Sequence, residues 1–261
     1  MEDQASIGEL VAGIVYLTVS FRLLRLSQRT GENPERLLGG AFLWMGASAI
    51  FYVMPTWPAF ESLWEPLNYA GRLTYVPAAL ALAVFTRRVF RPGDRWGHCL
   101  VWLCAALLVS GVSGSTLHGD LEGFSITSGW FWLEWTGYTA PFAWASAEAF
   151  AQYQHARRRM QLGLCERLVC NRYLLWSLFG LLQACSSLVI LPQYYVYETT
   201  NQFTPIYDFV YGGFVIASLV MIAFVFFPPA FYRRWFEHTD PAAATAGANT
   251  HGENEQREIP V

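Results

Sequence analysis

The sequence contains no lysine: all seventeen basic residues among its 261 are arginines. Chemistry that depends on a lysine amine, such as a retinal or pyridoxal Schiff base or a P-loop phosphate contact, is therefore excluded for this chain. Charge of either sign is scarce, at 14% of residues, against about 25% in an average soluble domain. Cysteine is sparse too, and none of Cys99, Cys104, Cys165, Cys170 and Cys185 falls in a predicted external connection, so no external disulfide is expected. Cys165 and Cys170 lie near His98 and Cys99 in the predicted topology, but their spacing matches no zinc motif and no metal site is assigned. The chain has no His-Glu-x-x-His pair, no Asp-rich prenyl-diphosphate motif and no Gly-x-Ser-x-Gly elbow. No catalytic residue and no cofactor are assigned, and nothing points to a nucleic-acid partner.

What the chain has instead is apolar length. It is 54% hydrophobic, with 11 Trp, 13 Tyr and 19 Phe, and its mean hydropathy is +0.26. A bilayer core about 30 Å thick needs roughly 20 mostly apolar helical residues. Seven stretches qualify, approximately 7–25, 38–55, 67–86, 98–116, 130–153, 173–191 and 207–227. Glu2 and Asp3 follow Met1 where a signal peptide carries basic residues, so the first stretch is read as a true span. The expected fold is all-α and polytopic, with a seven-helix membrane domain over 1–236 and a disordered cytoplasmic tail over 237–261.

Sixteen arginines fall in the first, third and fifth connections and around the tail, while the N-terminus and the other connections carry only acidic residues such as Glu61, Glu65, Asp120, Glu122 and Glu198. This asymmetry predicts an external N-terminus and a cytoplasmic C-terminus. The exception is Arg72, about one and a half turns inside span three from the outer surface. A desolvated arginine needs a counter-charge. Glu134 in span five lies at similar depth, while Asp208 and Glu9 open spans seven and one on the same side. Arg72 is expected to pair with Glu134 or Asp208.

Tyr75, Tyr138 and Tyr211 lie at this depth, with Tyr52, Tyr69, Tyr207 and several tryptophans. Two readings stay open: an interfacial aromatic belt, or an aromatic-lined pocket around the ion pair. In the second, Arg72, Glu134, Asp208, Tyr75, Tyr138 and Tyr211 bind the ligand. Away from this layer, Gln183, Ser186 and Ser187 are placed for interhelical hydrogen bonds. Glu148 is expected to partner an arginine, with Arg157–Arg159 nearest in sequence. Met160, Leu164 and Leu168 have the spacing of a short amphipathic surface helix. His118, beside Asp120 and Glu122, is read as a solvated loop histidine.

Seven spans with Arg72, Trp176, Phe179 and Asp208 resemble the microbial rhodopsins in outline. Gly212 stands where their retinal lysine is expected and Tyr75 where their proton acceptor lies. The stretches Asn68-Tyr69-Ala70-Gly71-Arg72-Leu73-Thr74-Tyr75-Val76-Pro77, Arg157–Leu164 and Asn171–Trp176 more closely resemble uncharacterised bacterial seven-transmembrane proteins. They look, more loosely, like the seven-span input modules of sensor histidine kinases and diguanylate cyclases, although no output domain follows span seven here. That resemblance implies a sensor-like module in the lipid bilayer, binding a small molecule or lipid from the outer half and signalling through a cytoplasmic partner. A transporter or channel, or a membrane enzyme acting on a lipid or isoprenoid, is the alternative.

Overall fold

The apolar runs fold as helices that extend beyond most of their expected ends. In the computed structural model, which describes residues 2–120, 125–200 and 204–238, α1 covers Glu2–Thr30, α2 Asn33–Val53 and α3 Trp64–Phe90. They are followed by α4 Arg95–Leu117, α5 Gly129–Gln161, α6 Arg167–Thr200, α7 Pro205–Phe226 and the short α8 Ala230–His238. No strand occurs among the described residues. The expected tail lies outside them from residue 239, as does Glu122. Many connection arginines prove to be helical: Arg22, Arg25 and Arg29 extend α1, and Arg157–Arg159 extend α5. Arginine is a good helix former, and positive charge complements the carbonyl end of the helix dipole.

Six helices are long and apolar enough to cross a membrane: α1, α2, α3, α4, α6 and α7. At 33 residues α5 has the length, but Glu134, Glu148 and interspersed small polar residues dilute its apolar run. Large apolar side chains such as Phe21, Trp102, Leu188 and Phe209 are exposed on the outside of the bundle, as a lipid-facing surface requires.

Each helix from α1 to α7 packs on the next, and α7 returns to α1, closing a ring. Helix α3 also packs against α5, so α4 lies outside the line between them. The core centres on Phe42, which touches Tyr16, Trp176, Phe179 and Phe226, while Phe179 also meets Phe142. This aromatic layer fills the middle of the bundle.

Met160 and Leu168, whose spacing with Leu164 matches a short amphipathic helix, fall on either side of a turn, at the end of α5 and the start of α6. Gly163 takes a left-handed conformation (φ 71°). The Gly163 N–H donates to the Met160 carbonyl at 3.0 Å and the Leu164 N–H to the Arg159 carbonyl at 2.9 Å. That pattern caps α5 and halts the i, i+4 periodicity before Leu168.

Candidate functional site

Helix α4 approaches α5 through glycines. A Cβ on Gly111 would lie 2.5 Å from the Glu134 backbone nitrogen, and one on Gly114 would overlap the Trp130 ring. This close approach places Ser115, one turn beyond Gly111, beside Glu134. Helix α4 then ends in the same type of cap as α5. Gly119 adopts φ 80°, and the Asp120 N–H donates to the Ser115 carbonyl at 2.9 Å. The cap leaves the Asp120 carbonyl aimed at α3.

Arg72 fills the space so made. Its Nε donates to Glu134 Oε1 at 2.6 Å, and its Nη2 to Glu134 Oε2, giving a two-pronged ion pair. Nη2 also donates to Ser115 Oγ, and Nη1 to the Asp120 carbonyl at 2.9 Å. Ser115 passes its own proton to the Gly111 carbonyl at 2.8 Å. Arg72 is only 3% exposed, so its charge is matched and its donors are engaged inside the protein. The Tyr138 hydroxyl donates to the Arg72 backbone carbonyl at 3.1 Å, and the Tyr138 ring meets Tyr75 edge to face, 4.9 Å between centroids. Of the two carboxylates expected as partners, Glu134 is the one used.

Asp208 is held differently. It accepts a hydrogen bond from Gln193 Nε2 at 2.7 Å, which ties α7 to α6. Tyr211, one turn further along α7, donates to Glu9 Oε1 of α1 at 3.0 Å. The six expected site residues thus divide into Arg72, Glu134, Tyr138 and Tyr75 on one side and Tyr211 with Glu9 on another, with Asp208 paired apart.

Sequence reasoning left Glu9 at the rim of span one, yet it lies at the hub. Glu9 is close enough to interact electrostatically with Tyr16, Tyr52, Tyr75, Tyr194 and Tyr211. Tyr52 and Tyr194 also feel one another, Glu134 and Arg72. One tyrosine therefore comes from each of α1, α2, α3, α5, α6 and α7 to the same end of the bundle, while α4 supplies Ser115. Gln183 Nε2 hydrogen-bonds to Tyr16 Oη between α6 and α1, the interhelical role expected of it. The signal for Glu9 was present: a carboxylate one residue into the first apolar run, level with Arg72.

The opposite end carries a second ion pair. Arg91 Nε lies 2.9 and 3.0 Å from the two oxygens of Glu148, and Trp144 Nε1 donates to Glu148 at 3.2 Å. The Arg91 guanidinium is held above its usual pKa by this hydrogen-bonded carboxylate. Glu148 thus takes an arginine from the third connection, where Arg157–Arg159 were nearest in sequence. Those three continue along α5 itself, roughly 13–17 Å up the axis from Glu148 at 1.5 Å per residue, whereas Arg91 follows the last turn of α3, which packs beside α5.

Among the described residues no group of His, Cys, Asp and Glu is arranged to hold a metal ion, and all five cysteines are free thiols. His118 Nδ1 lies 2.7 Å from the Gly114 carbonyl, with its ring near Trp130. It lies exposed in the turn that ends α4, the loop position expected of it. Comparison of the chain with protein-family profiles, curated proteins and solved structures finds no match.

Proposed function

We propose that the chain is a seven-span, receptor-like module of a bacterial inner membrane. The N-terminus is outside, the C-terminus is cytoplasmic, and α5 is the seventh span. It takes a small molecule or a lipid into the tyrosine-lined centre from the outer half and passes the change to a cytoplasmic partner.

The observation that carries this reading is the convergence of tyrosines from six helices, with Glu9, around a buried Arg72–Glu134 pair at one end of the ring. An interfacial belt would scatter its phenols around the outer rim. Here the hydroxyls of Tyr138, Tyr211 and Tyr16 bond to groups on other helices. Glu9, Tyr52, Tyr75, Tyr138, Tyr194 and Tyr211 are only half-buried although they interact across helices. Residual accessibility of groups on opposing helices is what a polar interior with room among its side chains produces. Below them Phe42, Phe142, Trp176 and Phe179 close the bundle, which favours a binding module over a transport path.

The test is a ligand screen on the purified protein, read as a shift in thermal unfolding. It spans lipids, isoprenoids, organic acids and organic amines. Saturable stabilisation by one class, lost in Tyr75→Leu and kept in the lipid-facing Leu188→Ala, supports the reading. No stabilisation by any class, or equal loss in both variants, removes it.

A further inference from the structure

The turn between α3 and α4 holds more positive charge than it uses. Arg87, Arg88, Arg91 and Arg95 stand close together in the chain, at the end of the bundle opposite the tyrosine-lined centre. The ion pairs there all belong to Arg91, which takes both Glu148 and Asp94. Arg88 and Arg95 are exposed, where water answers their charge. Arg87 differs from both. It is half-buried, and its Nε is shut off from solvent with no hydrogen-bond acceptor.

Packing sets Arg87 in this position. Its Cγ lies against Gly97 of α4, where an added Cβ would come within 3.2 Å of it. The same Cβ would lie 3.6 Å from Arg91 Cβ and 3.9 Å from the Trp144 ring, so Arg87, Arg91 and Trp144 meet at one point among α3, α4 and α5. The Trp144 ring in turn meets Trp96, 6.0 Å between centroids, and the Arg91 guanidinium lies over Trp96 at 5.8 Å.

An arginine stays charged at physiological pH, and a buried N–H without an acceptor is completed by a ligand or a water. Arg88 and Arg95 on either side make the local field positive, and an anion is the stronger acceptor for a guanidinium. From this point the outer face of α4 is apolar and open. Trp96 is 44% exposed, and Leu103, two turns along the same face, is 52% exposed. Basic pockets between membrane helices hold the phosphates of lipid headgroups in this way, with the acyl chains along the apolar surface.

We infer that the α3–α4 turn binds the phosphate of an anionic phospholipid, with Arg87 donating to the phosphate and Trp96 and Leu103 against an acyl chain. A free phosphate offers the same headgroup chemistry without the chain. The site is separate from the tyrosine-lined centre and stands or falls without it.

The test titrates dioleoylphosphatidylglycerol, dioleoylglycerol and inorganic phosphate in turn against delipidated full-length protein in a non-ionic detergent, read by thermal stabilisation. Phosphatidylglycerol is expected to bind saturably and at least about tenfold more tightly than dioleoylglycerol, a factor equal to one charge-assisted hydrogen bond. Arg87→Met keeps an apolar stem against Gly97 and is expected to lose that factor. Arg88→Met removes the same charge from the exposed neighbour and is expected to stay within about threefold, because solvent screens it. A second measurement uses the wild type alone, so that no variant's folding enters it. Phosphatidylglycerol with a photoreactive diazirine in its headgroup is expected to tag residues between 87 and 97. Equal binding of the two lipids, no saturable binding, equal losses in the two variants, or tags spread evenly over the other arginine-bearing connections overturns the site. Inorganic phosphate that binds as tightly as phosphatidylglycerol overturns the lipid assignment in favour of a free anion.

Discussion

Replacing Glu134 with glutamine keeps the shape of the side chain and removes its charge. Arg72 is left 3% exposed, without its two-pronged carboxylate, while the hydrogen bonds to Ser115 and the Asp120 carbonyl remain. Breaking one side of a buried ion pair costs about 3–5 kcal/mol, because the remaining charge is desolvated without compensation. For a chain of this size each kcal/mol moves the unfolding midpoint by about 2–4 °C, so Glu134→Gln is expected to lower Tm by roughly 10 °C. The double variant Arg72→Met, Glu134→Met removes both charges and fills the space with flexible apolar chains. It is expected to recover most of the loss, because a matched apolar replacement of a buried pair is often neutral. Thermal unfolding of the detergent-purified wild type, Arg72→Met, Glu134→Met and the double variant, followed by tryptophan fluorescence, gives all four corners of the double-mutant cycle, with Glu134→Gln measured beside them. A coupling of about 2–3 kcal/mol is expected for residues in direct contact. An unchanged Tm in Glu134→Gln refutes the reasoning, as does a double variant whose losses simply add.

Other perturbations separate the contacts that hold the site from those that do not. Gly111→Ala pushes a methyl against the Glu134 backbone and is expected to cost about 1–3 kcal/mol by overpacking. Gly40→Ala, where nothing lies within 4 Å, is expected to be neutral or to stabilise α2 by up to about 1 kcal/mol; equal effects in the two would contradict the α4–α5 packing. Glu148→Gln is expected to cost only about 1 kcal/mol, well below Glu134→Gln, because the Arg91 side chain is 42% exposed and solvent screens the pair. Thermal unfolding of the two variants side by side checks that order.

Much of this arrangement was legible in the residues, and its gaps have physical causes. A lone arginine inside an apolar run has to find a carboxylate, so depth alone narrowed the partner of Arg72 to Glu134 or Asp208. Asp208 looked equally eligible by depth, but its amide partner Gln193 sits on α6, and nothing in the spacing ranks one polar contact over another. Glu9 was undervalued because a carboxylate at the start of an apolar segment reads as an interfacial residue. Only the packing of α7 against α1 brings Tyr211 to it. The turn after Gln161 was missed because Met160, Leu164 and Leu168 keep a helical rhythm that the left-handed Gly163 interrupts. Helical class and approximate span positions came directly from apolar length. The lower apolar content of α5 reflects the polar and acidic groups that it turns toward Arg72 and Arg91.

The central claim is that a polar, ligand-accessible interior lies at the external end of the bundle. It is tested most directly by placing a single cysteine at Tyr75→Cys in a background with the five native cysteines replaced. A small, membrane-impermeant ammonium thiosulfonate is then applied to cells whose outer membrane has been permeabilised. Rapid labelling from the outside at position 75, alongside an unreactive Ile222→Cys in the fully buried part of α7, is the predicted result. No labelling at position 75, or labelling only after the cytoplasmic face is opened, would contradict it.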